Sequence, residues 1–490
     1  MEKPANMFDR DSEWRSLTRF ASHPGEGAAL GVVYGRRRQG KTFLLDAACR
    51  ALGGFYFSAT EATEAESLSR LGAELSAFLG LPSPLSFTDW YQAVDALLSL
   101  GRQGPIPVVI DEFPYLVQAT PALPSIVQRA YAPGREERTS SQTRLLLCGS
   151  ALSFMSRLLS GSAPLRGRAG LEMVVHTLDY RLAGEFWRVP DPNLAVLLNS
   201  VVGGTPAYRN EFTLGDTPAD REDFDGWVVR NVLERDSPLF REARHLLAEE
   251  PSLRDTGLYH SVLAAVAAGN TTRGGIASFI GRKASDLGHP LTVLEDSGLV
   301  LREADAFRAG RSTYSIAEPL VTFYHAVMRP EWSRLDRPGL AARVWEQSGK
   351  RFYGTVVGPR FEAICRDWCQ FHADPESFGG IPSHVGRGIV NDAAQRRSHE
   401  VDVAVLGHAD GERRPLLAIG EAKWGDVIGM GHLDRLRRIR SILEAHPALN
   451  ASHTRLLLFS GVGFTEELAQ LASEERDIVL VDTQRLYYGA

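Results

Sequence analysis

The sequence predicts an α/β protein built in several parts, with a parallel sheet at its start, a helical middle and a second α/β unit at its end. Three observations predict it. The chain has 490 residues, and at roughly 150 per domain that is more than one hydrophobic core organises. Residues 1–180 alternate short apolar runs with helical patterns, as do strands buried between two layers of helix. A second alternation, with different spacing, occupies residues 345–490.

The five apolar runs Gly31 to Tyr34, Gly53 to Ser58, Ile106 to Ile110, Arg144 to Cys148 and Leu171 to Thr177 are the expected strands of the first unit, residues 1–180. Residues 181–242 turn helical and are broken at Gly203-Gly204-Thr205-Pro206, which reads as a small lid. Residues 243–317 carry helical stretches around Tyr259 to Ala268, Thr272 to Ile280 and Leu287 to Ser297. Two β-like runs follow, Gly298 to Ala304 and Arg311 to Ile316. Helix, helix, helix, hairpin is the winged-helix order. A proline-marked helical connector, residues 318–344, leads into the last unit. There a helix around Arg360 to Phe371 precedes strand-like runs at Val401 to Leu406, Pro415 to Ala422, Arg455 to Ser460 and Ile478 to Asp482. Further helices are expected at His432 to Ala445 and Thr465 to Ala472.

Composition narrows the class. Hydrophobic residues are 44% and charged residues 23%, which excludes whole-chain disorder. With 54 basic and 60 acidic residues the net charge is −6, so any contact with nucleic acid is local and not the work of an overall basic field. Met1 to Trp14 is polar, and no apolar run approaches the ~20 residues of a membrane span. A cytoplasmic protein without a membrane segment is expected. Four cysteines form no CxxC pair, against a disulfide framework or structural zinc. Only five of the 54 basic residues are lysines: Lys3, Lys41, Lys283, Lys350 and Lys423. A chain that writes arginine by default keeps lysine where a guanidinium fork cannot serve.

Gly35-Arg-Arg-Arg38-Gln39-Gly40-Lys41-Thr42 fits GxxxxGK[ST] between a strand and an apolar-periodic helix. Its glycines let backbone N–H groups curl round phosphates, Lys41 would neutralise the β and γ phosphates, and the Thr42 hydroxyl would ligate Mg²⁺. Pro107 to Glu112 is an apolar strand ending in two acids. Asp111 would hold the metal through water, and Glu112 would polarise the attacking water. Ser150, after the strand Leu145 to Cys148, is placed either as a sensor of the γ-phosphate or as a helix cap. Arg166 and Arg168 lie in a loop that could supply the arginine such hydrolysis needs, and Arg36 to Arg38 could meet phosphate or face solvent.

In this order the motifs resemble the archaeal-type P-loop ATPases related to AAA+ and STAND proteins, whose last domain is nuclease-like. The resemblance covers nearly the whole chain, from Phe8-Asp-Arg10-Asp-Ser-Glu13 through the loop, VVIDEF, the CGS strand end, PLRGR and Gly203-Gly-Thr-Pro-Ala-Tyr208 to Phe361-Glu362 and Glu421-Ala-Lys423. It implies that Phe8 and Arg10 lie near the adenine or ribose. It also implies self-association, because in this class the loop arginine acts across a subunit boundary. Where the family more often has an aromatic residue this chain has Arg166, which leaves Arg168 as the better finger.

Asp402 lies in the alternating run Glu400 to Val405, and Glu421 and Lys423 end another. Period-two alternation puts Glu421 and Lys423 on one face. Two acids and a lysine on neighbouring strands can hold Mg²⁺, or Mn²⁺, and orient a water toward a phosphodiester. The set resembles the PD-(D/E)xK nuclease core, which implies Glu362 on the preceding helix as a further acid. The expected class is therefore α/β: a P-loop NTPase sheet with helical lid, a winged helix, and a restriction-endonuclease-like domain. DNA contacts are expected at the arginines of Asp434 to Arg440, the helix Lys283 to Glu295 and the wing Arg302 to Arg311. The expected function is ATP-driven DNA processing with cleavage. The alternative is a nucleotide-controlled switch or scaffold whose last domain binds DNA or protein without cutting.

Overall fold

The computed structural model describes residues 1–248, 256–409, 411 and 413–489. Small parts of the expected 243–317 and 345–490 units thus lie outside the described residues. The first sheet holds β1 (Ala29–Tyr34), β2 (Phe55–Ser58), β3 (Ile106–Asp111), β4 (Thr143–Gly149) and β5 (Ala169–Val174). All five are parallel, in the order β2-β3-β4-β1-β5. Val32, Ile110 and Leu147 pack toward the helices Glu64–Leu79 and Trp90–Ser99, while Val33, Val109 and Leu146 pack toward Asp11–Ala21 and Lys41–Leu52. Cover on both faces is why these strands read as unbroken apolar runs. Because the strands are parallel, the chain leaves β1, β3 and β4 at one edge, and Gly35, Asp111 and Ser150 are gathered there.

Residues from Tyr180 to Ala248 are mainly helical. The helices Thr256–Ala267, Arg273–Ile280 and Gly288–Asp296 then precede the antiparallel hairpin β6 (Val300–Ala304) and β7 (Ser312–Ile316). Val262, Leu263, Ile276, Leu291, Leu294 and Tyr314 close a core of their own.

The last sheet is mixed. It contains β8 (His384–Asp392), β9 (Arg397–Leu406), β10 (Arg414–Lys423), β11 (Leu449–Asn450), β12 (Arg455–Ser460) and β13 (Ile478–Asp482). Strands β8, β9 and β10 form an antiparallel meander, and β10, β12 and β13 run parallel in the order β13-β12-β10-β9-β8, with β11 beside the start of β10. Helix Gly358–Phe371 covers one face and helix Met430–Glu444 the other.

The ladder between β8 and β9 has one break. Gly386 pairs with Ala404, but Gly388 pairs with Val401, so Asp402 and Val403 together oppose Arg387. This is a β-bulge, which bends the strand and re-aims a side chain. Core packing reports it independently: Val401 and Ala404 share the cluster under Met430–Glu444, whereas Val403 and Val405 lie under Gly358–Phe371. The strict alternation expected across Asp402 therefore fails at that residue.

Lid, connector and last unit share one core. Trp187, Trp227, Phe323, Trp345, Phe361, Trp368 and Tyr487 belong to a single packed cluster. The final helix Thr483–Tyr488 is tied back to the lid by Tyr180 Oη and Arg181 Nε, which donate to the Leu486 carbonyl at 2.6 and 2.8 Å.

Candidate functional site

The loop after β1 curls over the N-terminus of helix Lys41–Leu52. Gly40 has φ +86°, a left-handed conformation that only glycine adopts without strain, and a Cβ there would meet nothing within 4 Å. A Cβ at Gly35 would lie 2.3 Å from the Val175 carbonyl, so that position admits no side chain. Lys41 is buried, and its Nζ donates to the Arg36 carbonyl at 2.8 Å. Burial pushes the pKa of this ammonium down, with Asp111 and Glu112 among the groups that partly restore it.

Thr42 Oγ1 donates to Asp111 Oδ2 at 2.8 Å. The same oxygen accepts from the Tyr56 hydroxyl, and Asp111 Oδ1 accepts from the Glu112 N–H at 2.9 Å. Tyr56 was not foreseen, since a tyrosine in a short strand carries no motif. Glu112 has φ +51°, an uncommon conformation for a side-chain residue. Ser150 Oγ lies 2.9 and 3.0 Å from its two carboxylate oxygens. Oxygen donors from Thr42 and Asp111 suit a hard cation such as Mg²⁺.

Lys41, Thr42, Tyr56, Glu112 and Ser150 line a cleft of about 960 Å³ with Phe8, Arg10, Arg38, Gln39, Phe186 and Asn210. Phe8 and Phe186 rings are 5.2 Å apart. Arg10 Nη2 donates to the His176 carbonyl at 2.6 Å, which anchors the opening segment to the chain after β5. Two of the loop arginines are paired with buried acids outside the lining of the cleft. Arg36 pairs with buried Glu318 at 2.7 Å, and Arg38 pairs with buried Glu242 at 2.8 Å while lying over the Phe212 ring. Buried Tyr208 stands beside both pairs, its hydroxyl pKa pushed up by burial and by Glu318 and Glu242. The lid motif thus closes a charge cluster behind the loop.

Arg168 is placed at the other end of the sheet. It immediately precedes β5, whose first residue pairs with Leu30 near the start of β1, whereas the loop follows the end of β1. About five strand residues, roughly 17 Å, separate it from the Gly35–Thr42 loop of its own chain.

In the last unit, Asp402 Oδ2 accepts from the Ala422 N–H at 2.9 Å. Lys423 Nζ stands 3.7 Å from Asp402 Oδ2 and 3.4 Å from Glu421 Oε1. Arg435, on helix Met430–Glu444, reaches Glu421 Oε1 at 2.6 Å. The other Glu421 oxygen is buried without a hydrogen-bond partner among the described residues. Half-buried Glu362 approaches from helix Gly358–Phe371, its pKa pushed up to about 7 by burial and by Asp402. Burial also raises Asp402, against the pull of Lys423 and the Ala422 N–H. The expected three-acid metal group is not assembled: among the described residues no three His, Cys, Asp or Glu side chains are placed to hold one ion. The physical reason is that Lys423 and Arg435 occupy the carboxylates as counter-ions. The orphaned Glu421 oxygen and the crowded Asp402 and Glu362 still fit a hard divalent cation, which would relieve both.

Two expected DNA surfaces are otherwise engaged. Along Met430–Glu444, Arg435 holds Glu421, Arg437 holds Glu475 at 2.6 Å, Arg438 holds Asp392 at 2.9 Å and Arg440 holds Asp477. These arginines balance acids instead of presenting a free basic face. The segment Arg302–Arg311, expected as a wing, is docked: Phe307 is buried against β8, where a Cβ on Gly388 would lie 2.5 Å from its ring. The Ala306 N–H donates to the Arg387 carbonyl at 2.9 Å. Around the helix Gly288–Asp296, by contrast, Phe279, Arg282, Lys283 and His289 are exposed. Among the described residues no helix is long and apolar enough to cross a membrane.

No family model matches the chain. It is 24% identical over 429 residues, 86% of this chain and 88% of the relative, to the uncharacterized protein MJECL04 of Methanocaldococcus jannaschii. Among solved structures it is similar to the Walker-type ATPase PABY2304 of Pyrococcus abyssi, with a TM-score of 0.47, 19% identity, and coverage of 66% of this chain and 97% of that one. It is also similar to the ORC2 protein of Aeropyrum pernix in its ADPNP-ADP complexes, with a TM-score of 0.43, 15% identity, and coverage of 71% and 97%.

Proposed function

We propose that the protein binds Mg²⁺-ATP in the cleft above Gly35–Thr42, hydrolyses it, and uses the cycle to control DNA binding and cleavage by its last unit. The observation that carries the ATPase reading is the contact of Thr42 Oγ1 with Asp111 Oδ2 at 2.8 Å, beside a Glu112 held by Ser150. The loop N–H groups and Lys41 would bind the phosphates, Thr42 and Asp111 would hold Mg²⁺, and Glu112 would take the proton of the attacking water. The bound metal would neutralise charge on the phosphate oxygens.

At the second site Asp402 and Glu421 would hold Mg²⁺ or Mn²⁺, with Glu362 as a further acid, and Lys423 would stabilise charge on the attacked phosphate. The exposed Phe279, Arg282, Lys283 and His289 support DNA contact at the three-helix unit. The position of Arg168 supports a homo-oligomer in which it serves a neighbour's nucleotide.

One observation favours a second reading, a nucleotide-controlled switch whose last unit binds without cutting: Lys423 and Arg435 already balance Glu421. Purified protein incubated with linear, circular and branched DNA, with Mg²⁺ or Mn²⁺ and with or without ATP, decides. Lys41→Ala should lose ATP binding, and Glu112→Gln should bind ATP without turnover. Glu421→Ala, Lys423→Ala and Asp402→Asn should each abolish cutting and leave the ATPase rate nearly intact. Wild-type protein that cuts no DNA under any condition makes the switch the better reading.

A further inference from the structure

The docked wing covers more than a sheet edge. Glu303, on β6, pairs with Arg387 on β8 at 3.2 Å and with Arg366 on helix Gly358–Phe371 at 3.7 Å. Both arginines belong to the rim of the carboxylate site. Arg366 Nη1 donates to the Asp402 carbonyl at 2.9 Å, and Arg387 is the residue facing the bulge that carries Asp402. Arg366 follows Glu362 by four positions, one helical turn, so the two share a helix face.

The Glu303 contacts are imperfectly satisfied. Among the described residues Glu303 Oε2 is buried without a hydrogen bond despite its ion pair, because Arg387 Nε is aligned on Thr313 Oγ1 at 3.0 Å instead. Arg387 Nη2 is likewise buried without a partner among the described residues. Buried charges left short of hydrogen bonds are costly. The pocket between the two units, about 510 Å³, is lined by Glu303, Arg366, Arg387, Glu362 and Glu400. A carboxylate thus sits where two guanidinium groups converge beside acids expected to hold a metal, and a phosphate would satisfy the same guanidinium geometry.

We propose that Arg366 and Arg387 form a phosphate-binding subsite for the DNA strand that leads to Asp402, Glu421 and Lys423, and that Glu303 of the wing fills it in this conformation as a built-in competitor. The proposal rests on the reading of that site as a DNA site. The wing then has two positions: docked, with Phe307 over Gly388 and Glu303 on the arginines, or released, with the subsite open to DNA.

The test is fluorescence anisotropy of a labelled 30-residue DNA, single-stranded and duplex, with the full chain and no divalent cation. Glu303→Gln, close in shape to the native residue, should bind about tenfold more tightly than wild type. Its log-log salt dependence should steepen by about one to two, the contribution of the added phosphate contacts. Glu303→Gln combined with Arg387→Gln should return to wild-type affinity. Asp236→Asn, the same change of net charge on exposed surface, should bind as wild type does. The proposal is overturned if Glu303→Gln binds within twofold of wild type, if the double variant keeps the gain, or if Asp236→Asn reproduces it. Inorganic phosphate at matched ionic strength should compete for the same two guanidinium groups and reduce the gain, and a gain untouched by saturating phosphate would place the added contact elsewhere and overturn the proposal. Cleavage separates this idea from the nuclease reading. Wild-type cutting with no gain in Glu303→Gln overturns the plug alone, whereas tighter binding without cutting in either protein leaves the subsite standing and removes the nuclease.

Discussion

Ser150 Oγ lies within 3.0 Å of both carboxylate oxygens of Glu112, joining the ends of the adjacent parallel strands β3 and β4. A carboxylate in a left-handed backbone position has no helix or ladder to orient it, so the hydroxyl does so. Ser150→Ala should lower the ATPase turnover by about tenfold while ATP affinity stays within twofold, the pattern of a lost orienting contact at the reacting step. Steady-state kinetics with a nucleotide-binding titration check it, and unchanged turnover would mean that the Ser150 contact does not serve the reacting step.

Tyr56 should matter to the metal more than to the nucleotide. Its hydroxyl shares Asp111 Oδ2 with Thr42, and burial with the adjacent carboxylate pushes its pKa up, so it remains a donor at working pH. Tyr56→Phe should cost about 1 kcal/mol of stability and raise the Mg²⁺ concentration for half-maximal ATPase several-fold. ATP binding in EDTA should not change.

Arg168 and its own phosphate loop lie at opposite ends of parallel strands, so activity should be recovered between subunits. Arg168→Ala and Lys41→Ala should each be inactive alone, and mixing them should restore part of the wild-type rate, since one mixed interface pairs an intact loop with an intact arginine. An ATPase rate in the mixture no higher than the sum of the parts would count against a shared site.

Arg438 and Asp392 give a pH test. The Arg438 guanidinium holds the Asp392 carboxyl well below the ordinary range. A depressed carboxylate contributes stability that is full above its unfolded pKa, about 3.9, and is lost as pH falls through the lower folded value. Arg438→Gln should therefore melt below wild type at pH 7, and the gap should close as pH falls below about 4. A gap independent of pH would mean that the arginine acts through packing alone.

The sequence was most informative where chemistry demands fixed local spacing. Gly35 to Thr42, the acids after β3 and the five parallel strands could be read because each depends on neighbours within a few positions. Strand β8 could not be: Gly386, Gly388 and polar residues interrupt its pattern, and its apolar cover, Phe307, comes from the wing. The arginines of Met430–Glu444 read as a basic face because their partners Asp392, Glu475 and Asp477 lie 37 to 46 positions away. Asp402 was found but its bulge was not, since an extra residue in a ladder depends on the partner strand.

The packed cluster that runs from Tyr180 to Tyr487 makes the last unit inseparable from the lid. A fragment beginning at residue 345 would leave Phe352 without Phe224 and Phe323 and Tyr487 without Tyr180, and would be sticky on its own. An extension fused behind Tyr488 would press on the segment that clasps Arg181. Helix Thr483–Tyr488 thus fastens the lid. Swapping the terminal unit as a cassette would unfasten the nucleotide cleft along with it.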